Sequence, residues 1–303
     1  MASPPANAQT AGQNVNMVSG TGWTNGDPFL ERQNEPSLAV STRNSSHLFG
    51  ASNDYRSVDL PGLLGIDERG DAWLGIYKSF DGGLTWQSTL LPGFPLDGSP
   101  EGLASPIHGR QAAADPLVRS GSNGLFFLTG IAFDRGSSPL SKVFISRFID
   151  LNNKENGDAA SVNGALTNLA PRDPVKYVDT RVIDSGSANR FLDKPWVAVD
   201  IPRGRATCTI SANEDGTTVT QHIPAGAIYV TYTAFTTVGT VQNSQILFRR
   251  STDCGVTWSK PIVLSRSDDR PTEQDAEGQG TVIAIDPSVP AGQPATHRGD
   301  DEF

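Results

Sequence analysis

The sequence is short of what long helices and membrane spans are built from. No run of 18 apolar residues occurs in its 303 positions, so no segment reads as a membrane-spanning helix. Methionine appears twice, and 31 Gly and 21 Pro punctuate the chain every few positions. Helices need long stretches free of both, whereas short strands joined by turns do not. This argues against a helical bundle, and the expected fold class is all-β. Positive charge is also scarce: 24 Lys and Arg face 33 Asp and Glu, a formal net charge of -9. That balance disfavours nucleic acid and anionic lipid as partners.

Several chemistries are missing as well. The four histidines, His47, His108, His222 and His297, show no ligand spacing, so no metal site is expected. The acidic run Asp268, Asp269, Glu273, Asp275 and Glu277 lacks a glycine-spaced ligand loop and reads as a solvated connector. Neither G-x-x-x-x-G-K nor G-x-S-x-G occurs, so nucleotide and serine-hydrolase chemistry find no support and no cofactor is implied. Residues 1–28 show no basic n-region followed by an apolar stretch, hence no visible signal peptide, and read as an extended N-terminal tail. Abundant Asn, Thr and Gly, few Lys, an acidic balance and two cysteines fit an extracellular or periplasmic protein.

What the chain does have is repetition. Ser79-Phe80-Asp81-Gly82-Gly83-Leu84-Thr85-Trp86 and Ser251-Thr252-Asp253-Cys254-Gly255-Val256-Thr257-Trp258 agree at Ser, Asp, Gly, Thr and Trp. Their aspartates lie 172 residues apart, which reads as two units of about 86, the size of a large propeller blade. A degenerate middle copy is expected near Asp150, with a turn at Asn152-Asn153. A second marker, a charged residue followed by Pro and an apolar strand, occurs at Glu35-Pro36, Asp115-Pro116 and Lys194-Pro195, with spacings of 80 and 79. These prolines are read as strand starts, where the absent N–H breaks no ladder bond. Further apolar runs after each marker give four strands per unit. The expected division is a first blade at 29–112, a second at 113–190 with a degenerate box, a third at 191–266, and at 267–303 a connector plus the opening strand of an incomplete fourth, Gly280–Asp286.

The S-x-D-x-G-x-T-W pattern has a physical rationale. The aspartate accepts backbone N–H groups further along the turn, glycine permits positive φ, and tryptophan anchors the returning strand. Ser79, Asp81, Gly83, Trp86, Ser251, Asp253, Gly255 and Trp258 are therefore assigned structural roles. The motif resembles the Asp-box, or bacterial neuraminidase repeat. Asn34-Glu35-Pro36-Ser37-Leu38-Ala39-Val40, Asn53-Asp54-Tyr55-Arg56 and Asp193-Lys194-Pro195-Trp196 likewise resemble phrases of secreted sialidase-like proteins. The resemblance implies a β-propeller of sialidase type, with about three four-stranded blades plus the start of a fourth, an incomplete ring. Truncation, pairing with a missing half of the propeller or a second copy of the chain, and an open array are the readings of that incompleteness.

Strand alternation places the two boxes on one face and the strand-opening residues on the other, around the central channel. There the resemblance implies Asp54, Arg56 and Asp115 as catalytic candidates, with Glu35, Tyr55, Arg135, Asp193 and Lys194 as ligand-binding candidates. Arginine suits a carboxylate through its planar fork, and an Asp suits proton transfer. Two functions compete. One is a secreted non-catalytic propeller binding a carbohydrate or glycoprotein ligand on its channel face. The other is an exo-sialidase-type glycoside hydrolase whose remaining catalytic residues lie in other blades. The long connection Ile201 to Ala227, read as having no strand pattern, carries Cys208 on the same face as Cys254, which predicts a disulfide. Two free thiols are the alternative.

Overall fold

The computed structural model describes residues 14–18, 33–55, 72–136, 139–151, 173–214, 216–239, 241–265 and 279–286. The fold is nearly all-β. Its strands are β1 (Gln33–Val40), β2 (Leu48–Asp54), β3 (Trp73–Ser79), β4 (Gln87–Leu90), β5 (Ala112–Ser120), β6 (Leu125–Phe133), β7 (Ser141–Asp150) and β8 (Val175–Ser185), then β9 (Arg190–Val199), β10 (Thr207–Glu214), β11 (Thr217–Pro224), β12 (Ile228–Val238), β13 (Val241–Ser251) and β14 (Ile262–Val263). The described residues add an α-helical turn, Pro100–Leu103, capped by Ser99, whose side chain accepts the Gly102 amide, and a 3-10 turn, Ser122–Gly124.

Three four-stranded antiparallel sheets result: β1-β2-β3-β4, β5-β6-β7-β8 and β9-β12-β13-β14. They stack in chain order, β5 packing on the first sheet and β9 on the second. The middle sheet is covered on both sides, and β6 shows the cause. Its run Leu-Phe-Phe-Leu-Thr-Gly-Ile-Ala-Phe is buried throughout. Phe126 and Leu128 join Phe49, Trp73, Ile76 and Phe148 in a core against the first sheet. Leu125, Phe127 and Ile131 join Ile145, Val197, Ile228 and Tyr232 in a second core against the third. A strand buried at every position, and apolar at nearly all of them, is what a doubly covered sheet requires, since alternate side chains leave opposite faces.

Four expectations need correction. The X-Pro markers are not strand starts. Strands β1, β5 and β9 begin several residues earlier, and each ladder slips at the marker, between Asn34 and Ser37, between Ala114 and Leu117, and opposite Thr231 and Thr233. A bulge on an edge strand removes the proline nitrogen from the ladder as effectively as a strand end does. Second, the connection after β9 holds the β10–β11 hairpin, with Cys208, Ile210 and Ala212 turned inward and Thr207, Thr209 and Ser211 outward. Third, 279–286 is not a strand: it runs beside the third sheet without ladder pairing, held where Thr281 meets Thr231 and where Gln279 bonds Asp193. Fourth, part of the N-terminal tail packs: Val18 is buried and its carbonyl accepts the Ser88 hydroxyl. The degenerate turn at Asn152-Asn153 lies outside the described residues.

Candidate functional site

The bulges bring the three marker residues together. Glu35, Asp115 and Lys194 adopt φ of 53°, 59° and 44°, in the left-handed region where side chains other than glycine are strained. Each precedes a proline, which further restricts its backbone. The Lys194 ammonium sits between the other two, donating to both Glu35 carboxylate oxygens at 2.9 and 2.8 Å and to Asp115 Oδ1 at 2.9 Å. Three residues 79 and 80 positions apart thus meet at one point, each from the first strand of its own sheet. Asn53 supports the group from β2: its Nδ2 donates to Asn34 at 2.7 Å and its Oδ1 accepts the Asp115 amide at 2.9 Å. Partial burial works against the charge on Lys194, but its bonds to Glu35 and Asp115 outweigh that and hold its pKa above the ordinary lysine value. The cluster brings an ammonium and two carboxylates together at one surface, with the buried Asn53 amide fixing it from beneath.

The other sequence candidates are distributed differently. Asp54 is not on the surface. It is fully buried, accepts the Tyr77 hydroxyl at 3.0 Å and crowds Gly75, where any Cβ would meet it at 2.5 Å. It cannot touch a substrate from there. Tyr55 follows it, half-buried, and Arg56 lies outside the described residues. Asp193 is half-buried on β9 and accepts Gln279 Nε2 at 2.6 Å. Arg135 is exposed in the β6–β7 loop, its guanidinium 4.7 Å from the Phe133 ring centre, and Asp134 beside it pairs with Arg110.

Two polar clusters went unread in the sequence. Tyr232, Asp184, Arg190 and Arg249 form one network: Asp184 accepts Tyr232 at 2.7 Å and pairs with Arg190 at 2.8 Å and Arg249 at 3.2 Å. A tyrosine beside a carboxylate and two arginines resembles an activated nucleophile in composition only. Tyr232 is fully buried in the second core, and burial, followed by its bond to Asp184, raises its phenol pKa strongly. Activation needs the opposite shift. At the other end of the sheets Asp150 accepts Ser41 at 2.5 Å and contacts His47 Nδ1 at 2.9 Å. There the serine hydroxyl bonds the aspartate and not the imidazole, the link from Ser41 to His47 running from its backbone amide to the His47 carbonyl, so it is no nucleophilic triad. Only spatial adjacency unites these groups, and no sequence spacing could have shown it.

The two S-x-D-x-G-x-T-W turns close the end of the sheets opposite Lys194. In the first, Asp81 accepts Ser79 Oγ at 2.9 Å, Thr85 N at 2.9 Å and Thr85 Oγ1 at 2.6 Å, while Gly83 N donates to Ser79 Oγ at 2.8 Å and Trp86 Nε1 to Gly83 O at 3.0 Å. Asp253 repeats this with Ser251 at 2.7 Å and with Thr257 N and Oγ1 at 2.9 and 2.6 Å, and Gly255 N donates to Ser251 at 2.9 Å. Gly82 and Cys254 share the left-handed position, at φ of 76° and 56°. Cys254 is bonded to Cys208, as expected, with a Cα separation of 6.2 Å. Arg147 braces the second turn, gripping Asp179 with two bonds of 2.6 Å and donating to the Cys254 carbonyl at 3.2 Å.

No protein-family model matches the chain, and no curated protein does. Among solved structures it is similar to an alpha-L-arabinofuranosidase from Fusarium graminearum, with 12% identity over 78% of this chain and 50% of that one, TM-score 0.35. It is similar to a Trypanosoma rangeli sialidase, with 10% identity over 77% of this chain and 38% of that one, TM-score 0.28. A family 117 glycoside hydrolase from Zobellia galactanivorans aligns at 11% identity over 82% of this chain and 75% of that one, TM-score 0.29. The chain spans half or less of the length of the first two.

Proposed function

We propose that the chain is part of an exported, sialidase-like Asp-box propeller that binds a glycan, free or on a glycoprotein, at the face where Glu35, Asp115 and Lys194 meet. Its three sheets are then three blades and the paired turns its Asp-boxes. One observation carries the reading: three charged pre-proline residues hold left-handed backbone and converge on a single ammonium. Strain of this kind persists where surrounding structure enforces it and clusters at ligand sites. The Cys208–Cys254 bridge favours an oxidising compartment. Asp54 and Tyr232 are both sealed from solvent, which leaves Asp115 as the described catalytic candidate at the cluster.

A glycan array with wild type and Lys194→Met tests this. The variant keeps the stem of the side chain and removes the ammonium, leaving two carboxylates without their shared partner. Glycans bound by wild type are expected to lose affinity at least about tenfold, the equivalent of roughly 1.4 kcal/mol. Equal binding by both proteins refutes the assignment.

A further inference from the structure

A second feature lies on the same face, between the second and third sheets. Here the end of β6, the turn between β8 and β9, and the end of β12 surround a cleft of about 500 Å³. Three phenylalanines wall it: Phe133, Phe191 and Phe235. Phe133 and Phe191 meet edge to face with ring centres 5.8 Å apart, which fixes both rings. Arg135, Asn189 and Thr237 form the exposed rim. The rim backbone is tied at two points, where the Thr237 amide donates to the Asn189 carbonyl at 2.9 Å and the Arg135 amide to Gln111 Oε1 at 2.8 Å. The volume lies in the range of small-molecule sites, and a few polar groups over an apolar floor is their usual composition.

The geometry points to a sugar subsite that stacks the C–H face of one pyranose on the phenylalanine wall while Arg135, Asn189 and Thr237 bond its hydroxyls. A pyranose is apolar on its ring faces and polar around its edge, which matches an aromatic floor under a polar rim. A purely apolar ligand would make no use of the polar rim of Arg135, Asn189 and Thr237, and a small anion would make no use of three aromatic rings. The position adds a length requirement. Phe191 lies on β9 three residues before Lys194, about 10 Å along an extended strand. A ligand reaching both places is a short oligosaccharide, and a monosaccharide fills one of them only. This inference rests on the glycan-binding reading above and specifies where the second sugar sits.

The test uses the full chain, with an array of neutral and carboxylated mono- to hexasaccharides followed by calorimetry with the tightest oligosaccharide. Arg135→Ala removes an exposed side chain together with its contact to the Phe133 ring, and Phe235→Ala removes part of the wall; the melting temperature of both is checked against wild type. Each is expected to weaken the oligosaccharide at least about tenfold while leaving the corresponding monosaccharide nearly unaffected at the lysine cluster. Oligosaccharide binding lost in Lys194→Met but unchanged in both cleft variants overturns the subsite and leaves the channel reading standing. Loss in the cleft variants alone supports the subsite and overturns the lysine cluster as the ligand centre. Equal affinity of wild type for monosaccharide and oligosaccharide removes the two-subsite span, and absence of any array signal overturns both readings.

Discussion

Replacing both bridged cysteines by alanine tests the most quantitative consequence of the fold. Cys208 opens the β10–β11 hairpin and Cys254 sits in the turn after β13, 46 residues later. Closing a loop of that size in the unfolded chain costs about 4 kcal/mol of entropy, which the bridge has already removed. Both residues are buried, so alanine avoids the unsatisfied hydroxyls that serine would bring. In the folded state the hairpin keeps other ties: Gln221 accepts Arg43 at 2.6 Å and the Pro224 carbonyl accepts Ser122. The loss should therefore appear as global destabilisation of about 4 kcal/mol in urea. At about 2.1 cal/mol/K per residue over 303 residues the melting temperature falls by roughly 6 °C. Reduced wild type should melt with the double variant. A loss below about 1 kcal/mol would show that the unfolded chain gains little freedom when the bridge goes, against the loop-closure account. Two thiols that alkylate on the folded, unreduced protein would refute the bridge itself.

Other expectations concern charge. Asp81 is held down to about 2 from 3.8 by its bonds from Thr85, so the first turn contributes stability that is complete above the unfolded pKa near 4. That contribution disappears as pH falls toward 2, and an acid titration should show Asp81→Ala losing less stability than wild type over the same window. Lys78 is buried between the first two sheets, where it donates to Asp173 at 2.6 Å and to the Val175 carbonyl at 2.6 Å, and burial lowers its pKa. Asp173→Ala leaves that ammonium with a single neutral acceptor and should cost about 3 kcal/mol by urea denaturation, clearly more than the volume-conserving Lys78→Met. The reverse order would show that packing of the lysine stem dominates.

The sheets were legible because each carries its own chemical signature. The buried run of β6, the Ser-Asp-Gly-Thr-Trp turns and the periodic X-Pro pairs all act locally, within a strand or one tight turn. The same locality concealed other parts. Proline marks a place where no N–H is needed, but a bulge and a strand start satisfy that condition equally, so the sequence misplaced the strand openings. The β10–β11 hairpin was overlooked because its outward face is Thr and Ser, although Asp215-Gly216 is a strong hairpin signal. The convergence of Glu35, Asp115 and Lys194 is legible in their equivalent positions beside proline, whereas the burial of Asp54 is not, because solvation depends on neighbours such as Tyr77 and Gly75. The phenylalanine cleft draws on three separated segments, and of its residues only Arg135 is a ligand-binding candidate from the sequence.

The lysine at the meeting point also bears on how similar repeats find their proper order during folding. Sheets with the same strand plan can in principle dock on the wrong neighbour. At the equivalent corner the first two carry carboxylates, Glu35 and Asp115, and the third carries Lys194. A swap that placed another acidic corner in the third position would bring like charges together and lose three charge-assisted bonds. The single change of sign therefore works as an address label, distinguishing the third sheet from its siblings at the place where all three must meet.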